Sequence, residues 1–137
     1  MKSSVYDATV IELPKIHDVA GNITAINNAE GVLPFNVKRV YYLYDVPGGE
    51  SRGAHAHKEL QQLIISASGS FDITLDDGQT RRTFQLSKPY YGLFMPAGLW
   101  RELNNFSSGA ICLVLASHDY NENDYINNYS KFKDFKS

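Results

Sequence analysis

Cysteine is nearly absent from this chain. Cys112 is the only one, so no intrachain disulfide framework braces the fold. It sits in the apolar run Ala110 to Ala116, where the expected state is a buried, inert thiol. Long hydrophobic runs are missing too, and no stretch approaches the roughly 20 apolar residues of a membrane-spanning helix. Met1 to Tyr6 lacks the apolar core of a secretory leader. These absences point to a cytoplasmic protein with no membrane partner. Charge of one sign is also lacking. Thirteen basic and 15 acidic residues give a net charge of −2, which excludes a general nucleic-acid surface but leaves room for a local basic pocket. No repeat or low-complexity segment interrupts the 137 residues, a length that suits one domain spanning 1–137.

What is present is a succession of short strand-like segments. Thr9 to Leu13 reads as a strand stopped by Pro14, His17 to Asn22 as a turn, and Ile23 to Ile26 as a second strand. Asn27 to Pro34 is a loop, and Val37 to Asp45 is rich in the β-branched and aromatic residues of strands. Strands follow at Phe71 to Leu75 and Arg81 to Leu86, joined by Asp76-Asp77-Gly78, a hairpin signal. Tyr91 to Met95 and Trp100 to Leu103 continue the pattern. Ala110 to Ser117, the most apolar, is expected to be last and central. Such spacing indicates an all-β, antiparallel sandwich or jelly roll. Only the tail departs from it: within Asn123 to Phe135, Tyr125, Tyr129 and Phe132 recur at helical spacing, predicting a short C-terminal helix packed on the barrel or on a neighbouring subunit.

The most informative stretch runs from Gly49 to Gly69. His55 and His57 share one face of an extended segment, because side chains alternate along a strand. The spacing Gly49-x5-His55-x-His57-x4-Gln62-x6-Gly69 resembles the first motif of the cupin superfamily, and Pro96-x-Gly98-x2-Arg101-x3-Asn105 resembles its second. Metal-dependent cupins carry glutamate where this chain has Gln62, and histidine where it has Arg101. A guanidinium has no lone pair for a cation, and a neutral amide is a weak ligand. Two histidines alone make a poor metal site, so no metal and no cofactor are expected. The chemistry left to two imidazoles is proton transfer, each able to act as base and then acid. Arg52 and Arg101 are placed to stabilise an enolate oxygen or an anionic substrate group. Tyr41 either offers its phenol to the same cavity or packs in the core, and Trp100 either flanks a sugar or base or packs. His17 and His118 are expected at the surface.

The block Arg52-Gly53-Ala54-His55-Ala56-His57-Lys58, with Val37 to Tyr42, Leu75 to Gly78, Pro96 to Trp100 and Glu122-x-Asp124-Tyr125-Ile126, resembles the sugar 3,4-ketoisomerases that act on dTDP-4-keto-6-deoxyglucose. The resemblance implies a metal-free jelly roll, homodimeric with exchanged N-terminal strands. Such an enzyme moves a keto group from C4 to C3 of a nucleotide-linked sugar, for a later aminotransferase. It implies His55 as the base at C3, with His57 assisting proton delivery to C4. Tyr41, Arg52, Gln62 and Arg101 line the sugar and diphosphate site in this reading, and Lys58 and Trp100 join them as candidate substrate contacts. Arg101 inclines the product toward glucose configuration at C4. Three readings compete: a dTDP-sugar 3,5-epimerase, which pairs a histidine with an aspartate not visible in this sequence, a non-catalytic sugar-nucleotide binding module, and a metal-dependent dioxygenase.

Overall fold

A computed structural model describes residues 2–137. Two five-stranded antiparallel sheets face each other. The first has the order β1 (Thr9–Glu12), β9 (Tyr91–Met95), β6 (Gln62–Ser68), β11 (Ile111–Ala116), β4 (Arg39–Leu43). The second runs β12 (Tyr125–Ile126), β5 (Arg52–His57), β10 (Trp100–Asn104), β7 (Phe71–Asp76), β8 (Arg81–Leu86). A separate hairpin, β2 (Ile16–Asp18) with β3 (Gly21–Ile23), occupies the expected turn and the start of the expected second strand. One helix, α1 (Tyr129–Lys136), closes the chain. The jelly-roll expectation holds.

Alternation along the strands divides the apolar residues among three layers. Ile64, Leu93, Cys112 and Val114 from the first sheet meet Phe71, Ile73, Leu75 and Leu103 from the second, forming the main core. Leu63, Ile65 and Leu115 point out of the first sheet and are covered by Leu13, Leu33 and the apolar residues of the 26–37 segment. That double coverage explains why β6 reads as an unbroken apolar run rather than an alternating one. The third layer joins Ala56, Trp100 and Ile126 to Phe132 of α1, outside the second sheet.

Two expectations about the tail end need correction. β11 is flanked on both sides, by β6 and β4, but it is one strand in from an edge and is followed by β12. Tyr125 is not on the helix. The Asn128 side chain accepts the Lys131 N–H at 3.0 Å and caps the helix, so α1 starts at Tyr129. Tyr125 instead pairs with His57 across β12 and β5.

Candidate active site

β5 carries the histidines, and a bulge decides where its other side chains point. His55 opposes Arg101 on β10, and Arg52 opposes Leu103, so three steps on β5 match two on β10. Gly53 lies in the extra step with φ of +69°, a backbone conformation that suits glycine. In a regular strand Arg52 and His55 would face opposite ways. The bulge turns both inward, and together with Tyr41, Leu43, Arg101 and Tyr125 they line a cleft of about 440 Å³. Arg101 enters from β10 because its neighbour Trp100 takes the opposite face. Tyr41 enters from β4, whose other face (Val40, Tyr42) is solvent-exposed.

A chain of polar contacts runs beneath the cleft. Asp124 Oδ2 lies 3.2 Å from His57 Nδ1, and Gln62 Nε2 lies 3.3 Å from His57 Nε2. Gln62 Nε2 also donates to the Tyr41 hydroxyl at 3.3 Å, and Arg101 Nη2 donates to the same oxygen at 3.1 Å. With two donors occupying the phenol oxygen, the Tyr41 proton is left to be given to an acceptor in the cleft. Arg101 is 2 % exposed, and its Nε and Nη1 have no hydrogen-bond partner among the described residues. A buried cation with idle donors and no carboxylate beside it is costly unless a ligand supplies negative charge.

The same charge keeps the imidazoles neutral. Burial, then the Arg101 guanidinium, then His57 push the His55 pKa down to about 2. Burial and Arg101 bring His57 down to about 4, against the opposing pull of Asp124. The His55 ring stands edge-on to His57, with centroids 4.9 Å apart, and the Tyr125 ring packs on both at 5.0 and 4.3 Å. At neutral pH the cleft therefore offers an uncharged base beside a cation and a phenolic donor. Abstraction of a proton α to a carbonyl uses an unprotonated base and fixed donors for the developing oxyanion, and an anionic ligand that offsets the Arg101 charge would restore basicity to His55.

The family description "FdtA: WxcM-like, C-terminal" matches residues 6–137. The TDP-4-oxo-6-deoxy-alpha-D-glucose-3,4-oxoisomerase of Aneurinibacillus thermoaerophilus is 42% identical over 126 residues, covering 92% of this chain and 90% of the relative. The chain belongs to this 3,4-ketoisomerase family. Solved members share its fold closely. A histidine variant of the 3,4-ketoisomerase QdtA from Thermoanaerobacterium thermosaccharolyticum, in complex with TDP-4-keto-6-deoxyglucose, superposes with a TM-score of 0.93 at 36% identity, covering 97% and 96% of the two chains. The WlaRB TDP-quinovose 3,4-ketoisomerase from Campylobacter jejuni gives 0.89 at 42% identity, covering 95% and 99%.

Within this family framework the expected site residues fall into two groups. Tyr41, Arg52, His55 and Arg101 meet at the cleft, with His57 and Gln62 buried directly behind them. His57, 2 % exposed, does not line the cleft wall as its expected approach to C4 would require. Trp100 and Lys58 stand apart. Trp100 points away from Arg101 and packs against Tyr129 and Phe132 with ring centroids 5.3 and 5.8 Å apart, so its packing alternative is the one observed. Lys58 is exposed just past β5, and only its backbone N–H is engaged, by the Asp124 carbonyl. Two residues lie outside the expected site set although both belong to the segment that carries the family resemblance: Tyr125, which the helical spacing places on the stripe, and Asp124, whose contact with His57 no spacing in the sequence indicates. His17 and His118 are at the surface, as expected.

Proposed function

We propose that this ketoisomerase converts TDP-4-keto-6-deoxyglucose into TDP-3-keto-6-deoxyglucose without a metal. The observation that carries the reading is the neutral His55 facing a cleft that also holds the unpaired Arg101 guanidinium. His55 removes the proton at C3, and the electrons of that C–H bond form the C3–C4 double bond as the C4 carbonyl oxygen becomes an enediolate. Tyr41 and Arg101 stabilise that oxygen. The C4 oxygen then takes up the C3 hydroxyl proton, and His55 gives the proton it holds, exchanged with solvent, to C4 as C3 becomes the ketone, so nothing is oxidised or reduced overall. His57, buried behind His55 with Nδ1 against Asp124 and Nε2 against Gln62, supports the site from behind and takes no direct part in the transfer. Arg52, exposed at the cleft mouth, and Arg101 hold the sugar and diphosphate. Gln62 at the glutamate position and Arg101 at the histidine position argue against a metal by their donor chemistry.

Glucose configuration at C4 is favoured by Arg101 and by the likeness to an enzyme named for TDP-quinovose, a 6-deoxyglucose. The active form in this reading is a cytoplasmic homodimer with exchanged N-terminal segments, making the 3-keto sugar for an aminotransferase. Ile16, Val19 and Ile23 are exposed on the β2–β3 hairpin, and an apolar groove of about 710 Å³ opens on the outer face of the first sheet. Light scattering on the purified protein reports the mass; a monomer would remove the exchanged dimer from the proposal.

The chemistry is tested by proton NMR of TDP-4-keto-6-deoxyglucose incubated with the protein in D2O and EDTA. Carbonyl migration with deuterium at C4 is expected, and the parallel reaction in H2O, where H4 is a proton, identifies the glucose configuration by a large H4–H5 coupling. Deuterium at C3 and C5 with the carbonyl still at C4 would instead identify an epimerase. Binding with no exchange would leave a non-catalytic module.

A further inference from the structure

We propose that Asp124 is a positioning residue that fixes the tautomer of His57 and, through Gln62, aims the Tyr41 proton into the cleft; this rests on the ketoisomerase reading above. The Asp124 carboxylate is itself firmly placed. Its Oδ1 accepts the Glu59 N–H at 2.8 Å, its Oδ2 accepts the Leu60 N–H at 3.3 Å, and its carbonyl accepts the Lys58 N–H at 2.9 Å. Pairing of Tyr125 with His57 holds the two strands in register beside it. An ionised carboxylate only accepts hydrogen bonds, so the 3.2 Å contact puts the His57 proton on Nδ1 and leaves Nε2 bare.

The consequence travels one residue at a time. A bare Nε2 needs a donor, and the neighbouring group is the Gln62 amide nitrogen. Facing that nitrogen to His57 also presents it to the Tyr41 oxygen, while Gln62 Oε1 is left buried without a partner among the described residues. That orphaned oxygen is the cost of the arrangement. Turning the amide over would place the oxygen against Tyr41, where it would take the phenolic proton away from the cleft. Asp124 holds the amide in the orientation that keeps Tyr41 a donor to substrate.

Asp124→Asn separates this role from a structural one. The amide oxygen can keep the Glu59 N–H, while the amide nitrogen that replaces Oδ2 becomes a donor toward His57 Nδ1. The proton then moves to Nε2 and the Gln62 amide reverses. We expect kcat to fall by roughly 10²-fold or more, with little change in KM. Imidazole 15N NMR is expected to show His57 protonated at Nδ1 in the wild type and at Nε2 in the variant. A folded variant with wild-type kcat would overturn the proposal, as would a wild-type His57 carrying its proton on Nε2. The wild-type spectrum decides even where the variant does not fold. If the wild-type protein fails to isomerise the keto sugar, the function reading falls, while the spectra still report whether Asp124 sets the tautomer.

Discussion

Arg101 does two things that pull in opposite directions. Its side chain is among the largest fully buried ones, it donates to one phenol oxygen while two of its nitrogens have no partner among the described residues, and it depresses both histidines. Without a counter-charge from substrate it is a liability to folding, because a buried charge is only partly compensated by hydrogen bonds. Arg101→Met should therefore raise the stability of the unliganded protein, by about 1–3 kcal/mol in denaturant unfolding, while abolishing turnover. Any activity that survives is expected to lose its acid-side plateau at higher pH than the wild type, since His55 and His57 regain basicity without the guanidinium. Tyr41, Tyr125, Asp124 and Arg39 around the imidazoles are unchanged by the substitution. A variant that is less stable and equally active would show that the cation is satisfied by something other than substrate.

At the scale of elements, the bulge in β5 turns a recognisable motif into a site. Gly53→Ala adds a methyl group whose nearest neighbours, Arg101 Nη2 and Leu103 Cδ1, are both 3.5 Å away, an ordinary contact. The penalty is instead the left-handed backbone, about 1–2 kcal/mol for a residue with a Cβ. Relief of that strain would flatten the bulge and rotate Arg52 out of the cleft, so KM for the nucleotide sugar is expected to rise more than kcat falls. Equal stability with unchanged KM would mean that Arg52 reaches its place without Gly53. Alternation within one strand makes His55 and His57 legible in the sequence, and the resemblance of the motif spacing adds Gln62 on β6 and Arg101 on β10. The bulge was not legible, because glycine in a strand signals a turn, a bulge or a close approach alike. Asp124 lies 67 positions from His57, a pairing that only the β12–β5 register creates. Trp100 was ambiguous for a related reason: alternation separates it from Arg101, but which of the two faces inward depends on the helix that covers the other.

Across the whole molecule, the site and the seam between the chain ends respond to acid in different pH ranges. His55 and His57 have folded pKa values near 2 and 4 against an ordinary 6.5, so below pH 6.5 the unfolded chain binds protons that the folded chain refuses. Their contribution is complete above that pH and declines as pH falls toward 4, then toward 2 for His55 alone, by up to about 1.4 kcal/mol per pH unit for each histidine. The seam holds further down. Asp76 accepts from Tyr129 of α1, the Gly78 N–H and Arg81, while Asp77 accepts the N–H groups of Thr80, Gln79 and Val5. Burial opposes these bonds, but they win, and both carboxyl pKa values lie below the ordinary 3.8. Their contribution is present above 3.8 and is lost only as pH drops through the lowered values. Unfolding free energy measured between pH 7 and 4 should thus fall with a slope approaching two protons, and His55→Gln should remove one of them. Loss confined to pH below 4, with the His55→Gln curve parallel to the wild type, would mean that the imidazoles are not held neutral by the fold. His55 would then titrate near its ordinary 6.5, and the acid limb of the pH–rate profile would lie there instead of below pH 4.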